Sequence, residues 1–479
     1  MKFVYKVFST SNTHYLYVGI SGNILLLNNE FYTQHSKIFE HFENGVSDDF
    51  KLELEAVRSS IQNKLLVPKS NEPLCYWFDE TEFCKSFRKE MSHLMLGITE
   101  NCNMRCHYCV YGGHYANERT HSAQTMTKET GKAAVDFFIR ESKSDELILN
   151  FYGGEPFTNF SVLQNIYDYA REKQPSLKTY ITTNGTLLEG KIADWFLQNE
   201  NVHLYVSLAG NRQSHDDLRV FANGAGTFAT IHKNLLHLKE RNLKAYTERI
   251  HFIFNIFDEQ QLFDIRKFLL TDELFTEQKF LPEITGIDCL EDDGTVSSLK
   301  TAFLEKNSNG NSDTLSEYIR LLQQGKHDDV FVKYYDEKFI PLHRRAVNDS
   351  TNFISGVCRP FAKKLFVDVN GSVHICENFL YGTEFGSIFE RLNDEPLKTL
   401  FERFKTAKET RCSECWATKL CGLCYKDFFD KNGNMNNERT NRICTHEKNA
   451  IENTLREYCT ILETDANLLD HLDKYVLYQ

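Results

Sequence analysis

Residues 102–109 read Cys-Asn-Met-Arg-Cys-His-Tyr-Cys, which sets Cys102, Cys106 and Cys109 in a CxxxCxxC spacing. Three thiolates this close can hold a metal centre but cannot close it. A four-iron cluster that only carries electrons takes four protein ligands. Three ligands leave one iron open, and an open metal position is where chemistry takes place. The bland reading of the loop is a half-built zinc knuckle. A second group lies in the C-terminal third. Cys358, Gly371 and Cys376 fall as CxxxxxxxxxxxxGxxxxC, Cys412, Cys415, Cys421 and Cys424 as CxxCxxxxxCxxC, and Cys444 follows. Seven thiolates at these spacings call for metal. Paired CxxC units also build four-cysteine zinc sites, so spacing alone leaves zinc and iron–sulfur both open.

Other residues are placed to serve a ligand. Phe151–Pro156 reads Phe-Tyr-Gly-Gly-Glu-Pro at the end of a strand-like run. Gly153 and Gly154 allow close backbone approach and unusual dihedrals. Glu155 beside them can accept from a ligand's ammonium group; its bland reading is a solvated carboxylate in a tight turn. Thr183-Asn184-Gly185 and Ser207 close the next two strand-like runs and offer hydroxyls or an amide to a ribose or carboxylate. Arg219 pairs with a carboxylate in one reading and is a surface arginine in the other. Thr227 reads as the N-cap of the helix that follows. Glu377, next to Cys376, is a candidate base, against an exposed surface carboxylate.

These residues need a frame. From residue 93 to about 290, strand-like and helical runs alternate. The strands are expected at His93–Ile98, Glu146–Tyr152, Lys178–Thr183, Val202–Leu208, Ile250–Ile256 and Glu283–Asp288. Helical spacing is clearest at Lys128–Arg140, Val162–Arg171, Thr227–Leu238 and Gln260–Leu270. Six β/α repeats predict a parallel sheet with right-handed crossovers, too short to close as an eight-stranded barrel. Sites on such sheets lie at the C-terminal strand ends, and the cysteine loop follows the first strand. Residues 1–85 form a separate small unit: Val4–Phe8, Tyr15–Ile20 and Asn23–Asn28 are β-prone, and Phe31–Phe42 and Leu52–Leu65 are helical. Three strands with two or three helices make a winged-helix-like unit. Residues 291–345 bridge to the second cysteine region, with a polar loop at Asn307–Asp313 and a helix at Leu315–Gln323.

Composition excludes several classes. At 479 residues the chain is too long for one ordinary domain. A net charge of −12 argues against a nucleic-acid footprint. No run is long and apolar enough to span a membrane, and no signal-like apolar core forms at the start. Fourteen cysteines would suit a secreted disulfide protein, but ten sit at metal-ligand spacings. A reducing cytoplasm keeps such thiolates available. Cys75, Cys84 and Cys459 read as small buried hydrophobes.

The cysteine loop, Gly-Gly-Glu-Pro, Thr-Asn-Gly and the cysteine-rich tail, in this order, resemble a radical S-adenosylmethionine (SAM) enzyme with a SPASM domain, over roughly residues 90–450. The resemblance implies SAM and three four-iron clusters. Cys102, Cys106 and Cys109 would bind the SAM-cleaving cluster. Gly153, Gly154 and Glu155 would hold the SAM amino group, and Thr183, Asn184, Ser207 and Arg219 its ribose and carboxylate. Cys358, Cys376 and Cys424 would hold a first auxiliary cluster, and Cys412, Cys415, Cys421 and Cys444 a second. The chain departs from the family pattern at Ala209, where Asp is usual, and at Cys421–Cys424, where three intervening residues are usual. The first auxiliary cluster is also one ligand short. Residues 346–357 contain no cysteine, which leaves Cys289 or a substrate thiolate as its fourth ligand.

The implied fold is α/β: a partial (β/α)6 radical SAM barrel over 90–290, an N-terminal winged-helix-like domain over 1–85, a bridging segment over 291–345, an iron–sulfur SPASM domain over 346–460 and a tail over 461–479. The N-terminal unit resembles the recognition element of maturases of ribosomally made peptides, in which a leader peptide adds as a strand. The implied activity is hydrogen abstraction by a 5′-deoxyadenosyl radical to install a thioether in a precursor peptide. Carbon–carbon or other side-chain crosslinking and sulfatase-type Cys/Ser oxidation are the alternatives, and a zinc-binding transcriptional regulator is the reading from a different class. The partners implied are a precursor peptide with its leader and a low-potential electron donor such as flavodoxin or ferredoxin, with no nucleic acid and no membrane.

Overall fold

Burial with a period of two builds the central sheet. In Val202–Leu208 and Ile250–Ile256 alternate side chains are buried, and those between are half-buried. One sheet face therefore packs on helices while the other is half-buried. The computed structural model of the chain describes residues 2–44, 51–69, 74–76, 91–109, 111–112, 120–287, 298–307, 313–347, 353–354, 363–379, 385–390, 394–430 and 433–474.

The chain opens with β1 (Tyr5–Ser9), β2 (His14–Val18) and β3 (Ile24–Leu27), an antiparallel sheet in that order. Helices Asn29–Asn44 and Lys51–Gln62 follow. Leu16 and Val18 join Phe3, Ile38, Phe39 and Val57 in a small core of their own. Tyr17, on the opposite sheet face, is buried in the main core instead. Strand β4 (Cys75–Tyr76) pairs only with the distant two-residue strand Phe353–Ile354 among the described residues.

The main sheet starts at β5 (His93–Thr99) and continues through β6 (Ile148–Gly153), β7 (Lys178–Thr183), β8 (Val202–Leu208), β9 (Ile250–Ile256) and β10 (Glu283–Gly286), each parallel to the one before. Helices Lys128–Glu141, Phe160–Lys173, Gly190–Gln198, Phe228–Arg241 and Gln261–Thr271 cover the buried face. The six parallel strands fall where the alternation predicts, with ends shifted by at most two residues.

The far edge differs from the expectation. After β11 (Phe353–Ile354), β12 (Lys364–Val367) adds parallel to β5, and β13 (Val373–His374) adds antiparallel to β12, making eight strands. The edge of β5 is thus closed by a segment some 270 residues downstream, and the chain leaves it directly into Cys376. A run of four strand residues carries too little period to be read alone. Helix Thr314–Gln323 forms as predicted. Thr227 does precede its helix, but its side chain makes no cap bond. Its hydroxyl donates to the Arg219 carbonyl at 2.8 Å instead. Cys84, Cys289, Cys358, residues 291–297 and the centre of the Asn307–Asp313 loop lie outside the described residues.

Candidate active site

The cysteine loop leaves β5 at the C-terminal end of the sheet and is held by backbone. The Arg105 and His107 N–H groups donate to Val220 and Leu218 at 2.8 and 2.9 Å, and Ala222 donates to Asn103 at 3.0 Å. The segment 218–222 therefore templates the loop as a short strand would. Gly153 and Gly154 hold its other side. Gly154 and Glu155 donate to Thr99 and Asn101 at 2.8 and 2.9 Å. A Cβ on Gly153 would stand 2.3 Å from the Thr99 carbonyl, and one on Gly154 would stand 2.2 Å from that of Asn101. Gly153 also sits at φ +136°, where side chains are strained. The glycines permit close approach as expected, but what approaches is the cysteine loop itself.

Glu155 is wholly buried rather than solvated. Its carboxylate accepts from the Phe157 N–H at 3.1 Å, the Thr183 hydroxyl at 2.7 Å and the Asn184 N–H at 2.7 Å. These bonds offset the cost of burying a charge and tie the end of β6 to the end of β7. Burial still raises its pKa to about 7, against the lowering effect of the three donors. Three of the carboxylate's roughly four lone-pair sites are thereby used. Asn184 reaches across to the loop. Its amide donates to Asn103 Oδ1 at 2.9 Å and lies 3.8 Å from Cys102 Sγ. Ser207 lies on the half-buried face of β8.

Arg219 is buried, not a surface residue. Its Nη1 donates to the Tyr108 hydroxyl at 2.6 Å, and Asn255 on β9 donates to the same oxygen at 3.1 Å. Its Nε has no hydrogen-bond partner among the described residues. The guanidinium thus stands behind the cysteine loop, close enough to act on Glu155, Cys102 and Cys109, and is suited to an anion there. Tyr108, Asn103 and Asn255 were not singled out from sequence. Tyr108 falls between two motif cysteines, which was the available signal.

The three thiols suit an iron–sulfur cluster. All are half-buried. The Met104 and Tyr111 N–H groups point at Cys102 Sγ and Cys109 Sγ at 3.4 Å each, and such N–H···S bonds are levers on cluster potential. Burial pushes the Cys102 thiol up to about 11 and the Cys109 thiol to about 12, so binding iron must displace their protons. A cavity of about 400 Å³ opens beside Cys106, lined by Arg105, His107, Tyr111, Thr120 and His121. Two larger hollows lie on the outer helices and touch no thiol.

The tail cysteines fall into two neighbourhoods. Burial takes the Cys412 thiol up to about 12, and Cys415, Cys421 and Cys444 stand close enough to push it in the same direction. They sit at the end of helix Asp394–Cys412, in the turn after it and on helix Asn437–Thr464. Cys424 stands near Cys376 instead. It opens the one-turn helix Tyr425–Phe428, where the Asp427 carboxylate accepts from the Cys424 N–H at 2.8 Å. The Asn378 N–H points at Cys376 Sγ at 3.2 Å. Among the described residues no three His, Cys, Asp or Glu side chains converge as they would on a single metal ion; in a four-iron cluster each thiolate binds its own iron. Glu377 is not an exposed surface carboxylate. It is paired with Lys364 at 2.6 Å, and to act as a base it would first have to leave that pair. Cys459 is buried, as its bland reading expects.

Residues 96–269 match the Radical SAM superfamily. An uncharacterized protein of Methanocaldococcus jannaschii is 30% identical over 155 residues, which are 32% of this chain and 50% of that protein. The chain thus spans about half the length of that relative. The radical SAM cyclopropyl synthase TigE of Paramaledivibacter caminithermalis is 23% identical over 460 residues, 91% of each chain. Among solved structures, native anSMEcpe with bound AdoMet and Cp18Cys peptide superposes with a TM-score of 0.52 at 17% identity, covering 79% of this chain and 99% of that one. That likeness speaks for the fold. A zinc-binding transcriptional regulator accounts for neither the parallel sheet nor the match at its strand ends, and that reading is set aside. The open three-cysteine loop and the rim of Glu155, Thr183 and Asn184 lie inside the stretch that matches the Radical SAM superfamily, and the chain is similar over that stretch to enzymes of it.

Proposed function

We propose that the chain is a maturase of a ribosomally synthesised peptide, working in the cytoplasm with a low-potential donor such as flavodoxin or ferredoxin. When bound at Cys102, Cys106 and Cys109, a four-iron cluster with SAM supplies a carbon radical able to take hydrogen from unactivated carbon. Glu155 accepts the cofactor's ammonium group at its remaining lone pair, Arg219 meets an anion behind the loop, and Thr183, Asn184 and Ser207 order the rim. The tail cysteines hold two auxiliary clusters, one at Cys358, Cys376 and Cys424 and one at Cys412, Cys415, Cys421 and Cys444.

The observation that carries the peptide reading is the outer edge of β3. Among the described residues β3 pairs only with β2. The Val18 N–H bonds the Asn23 carbonyl at 2.9 Å, and the register pairs Tyr17 with Ile24 and Tyr15 with Leu26. By the alternation of an antiparallel ladder, Ile24 and Leu26 point their N–H and C=O groups away from β2, toward solvent. Leu26 is 70% exposed. An extended leader peptide adds to such an edge as a further strand. Leu26→Pro removes one outward donor without touching the β2–β3 ladder, a substitution edge strands tolerate. It is expected to weaken binding of a labelled precursor peptide at least about tenfold, ~1.4 kcal/mol, with circular dichroism unchanged. Undiminished binding would dismiss the edge.

One relative that matches over 91% of each chain is a cyclopropyl synthase, and this favours carbon–carbon bond formation in the peptide. A thioether is the second reading, favoured by the missing fourth ligand near Cys358. Both reactions remove two hydrogens from the peptide. Alkylation separates them: a thioether consumes a cysteine thiol, and a carbon–carbon bond spares it. Mass spectrometry of the co-expressed peptide, before and after alkylation, is expected to show the hydrogen loss with every thiol still reactive. An aldehyde at Cys or Ser would indicate sulfatase-type oxidation instead.

A further inference from the structure

Helix Asp394–Cys412 carries Lys408 four residues before Cys412, so both lie on one face. Lys408 is buried, only 1% exposed. Its Nζ lies 3.8 Å from Cys421 Sγ, and the Phe404 and Phe428 rings flank it at 5.4 and 5.0 Å. Among the described residues no carboxylate pairs with it. Two aromatic faces help to hold a cation, but a buried charge calls for an anionic partner. Among the described residues the anionic partner in reach is the group of Cys412, Cys415, Cys421 and Cys444 in its thiolate form. Arg411 and Lys448 add positive charge near Cys444, and Glu447, which accepts from the Gly422 N–H at 2.6 Å, adds one negative charge near Cys421.

The other neighbourhood has the opposite sign at closest range. The buried Asp427 carboxylate accepts from the Cys424 N–H at 2.8 Å, and its negative charge acts on Cys424 more strongly than the positive charge of Lys426. Reducing a cluster adds negative charge, which a nearby cation favours and a nearby carboxylate opposes.

We propose that Lys408 is the buried counter-charge of the Cys412–Cys415–Cys421–Cys444 centre, and that it holds the reduction potential of that centre above the one at Cys376 and Cys424. This rests on reading the tail cysteines as iron–sulfur ligands. Lys408 is a positioning residue, remote from substrate.

The test is a redox titration of the anaerobically reconstituted full chain, followed by electron paramagnetic resonance. Lys408→Met keeps the volume of the side chain and removes its charge. It is expected to move the highest-potential wave to more negative potential, by about tenfold in the oxidised-to-reduced ratio, ~59 mV for a one-electron couple. The other waves stay in place, and Lys408→Arg restores most of the loss. Asp427→Asn is an independent arm and is expected to raise a different wave. A highest wave unmoved in Lys408→Met at full iron content overturns the proposal. So does the loss of iron in that variant together with a silent Asp427→Asn. Zinc in the tail with no auxiliary waves at all overturns the underlying cluster reading, and the proposal with it.

Discussion

Replacing Cys102, Cys106 and Cys109 together by alanine is expected to abolish reductive cleavage of SAM while the protein stays folded. The thiols are half-buried and belong to no apolar cluster, so their loss leaves little cavity. The loop backbone keeps its bonds to residues 218–222 and to Gly154 and Glu155, and the substitutions remove two long N–H···S contacts, from Met104 and Tyr111. The variant is expected to retain about eight of about twelve irons, as two four-iron clusters. Iron analysis and the yield of 5′-deoxyadenosine read the two effects separately. Cleavage persisting in the triple variant would remove the assignment of the loop.

Gly154→Ala is expected to do nearly as much damage without touching a ligand. The new Cβ would meet the Asn101 carbonyl at 2.2 Å and the Asn101 carbonyl carbon at 2.6 Å, backbone that cannot swing aside as a side chain can. The cysteine loop must shift, and its start lies one residue from Cys102. A misplacement of about 1 Å costs about 10²-fold in rate. The same fall in 5′-deoxyadenosine formation is expected, with the tail clusters intact. Gly286→Ala is the control, because no atom lies within 4 Å of the added Cβ and no positive φ is required there. Equal activity in Gly154→Ala and Gly286→Ala would show that the tight crossing carries no function.

Much of this was legible because it is local. The six parallel strands alternate buried and half-buried residues, and the cysteine loop and Glu155 follow strand ends directly. What was not legible depends on segments far apart in the chain. Nothing in Lys364–Val367 says that it will lie beside His93–Leu96. Arg219 is hidden because Tyr108 and Asn255, 111 residues before it and 36 after, converge on one hydroxyl. Thr227 looks like a cap, yet the Arg219 carbonyl takes its hydroxyl. Lys408 was within reach of local reasoning: a lysine one helical turn before a ligand cysteine shares its face. Its burial runs against the ordinary place of lysine at the surface.

The first sheet is fastened to the far end of the chain. Glu463 accepts from Thr10, Asn12 and Tyr15 at 2.7 to 2.9 Å, and Glu414 pairs with Lys2 and Lys69 at 2.8 and 2.9 Å. Gly19 is pressed so closely on Trp416 that a Cβ would stand 2.7 Å from its carbonyl oxygen. Trp416 directly follows Cys415. The N-terminal unit is therefore no interchangeable cassette. A chimera that grafts another enzyme's first 85 residues onto this body would inherit a mismatched seam beside a cysteine of the tail. Retargeting toward a foreign peptide would have to exchange the outer strand alone, or carry residues 414–416 and Glu463 along with the graft.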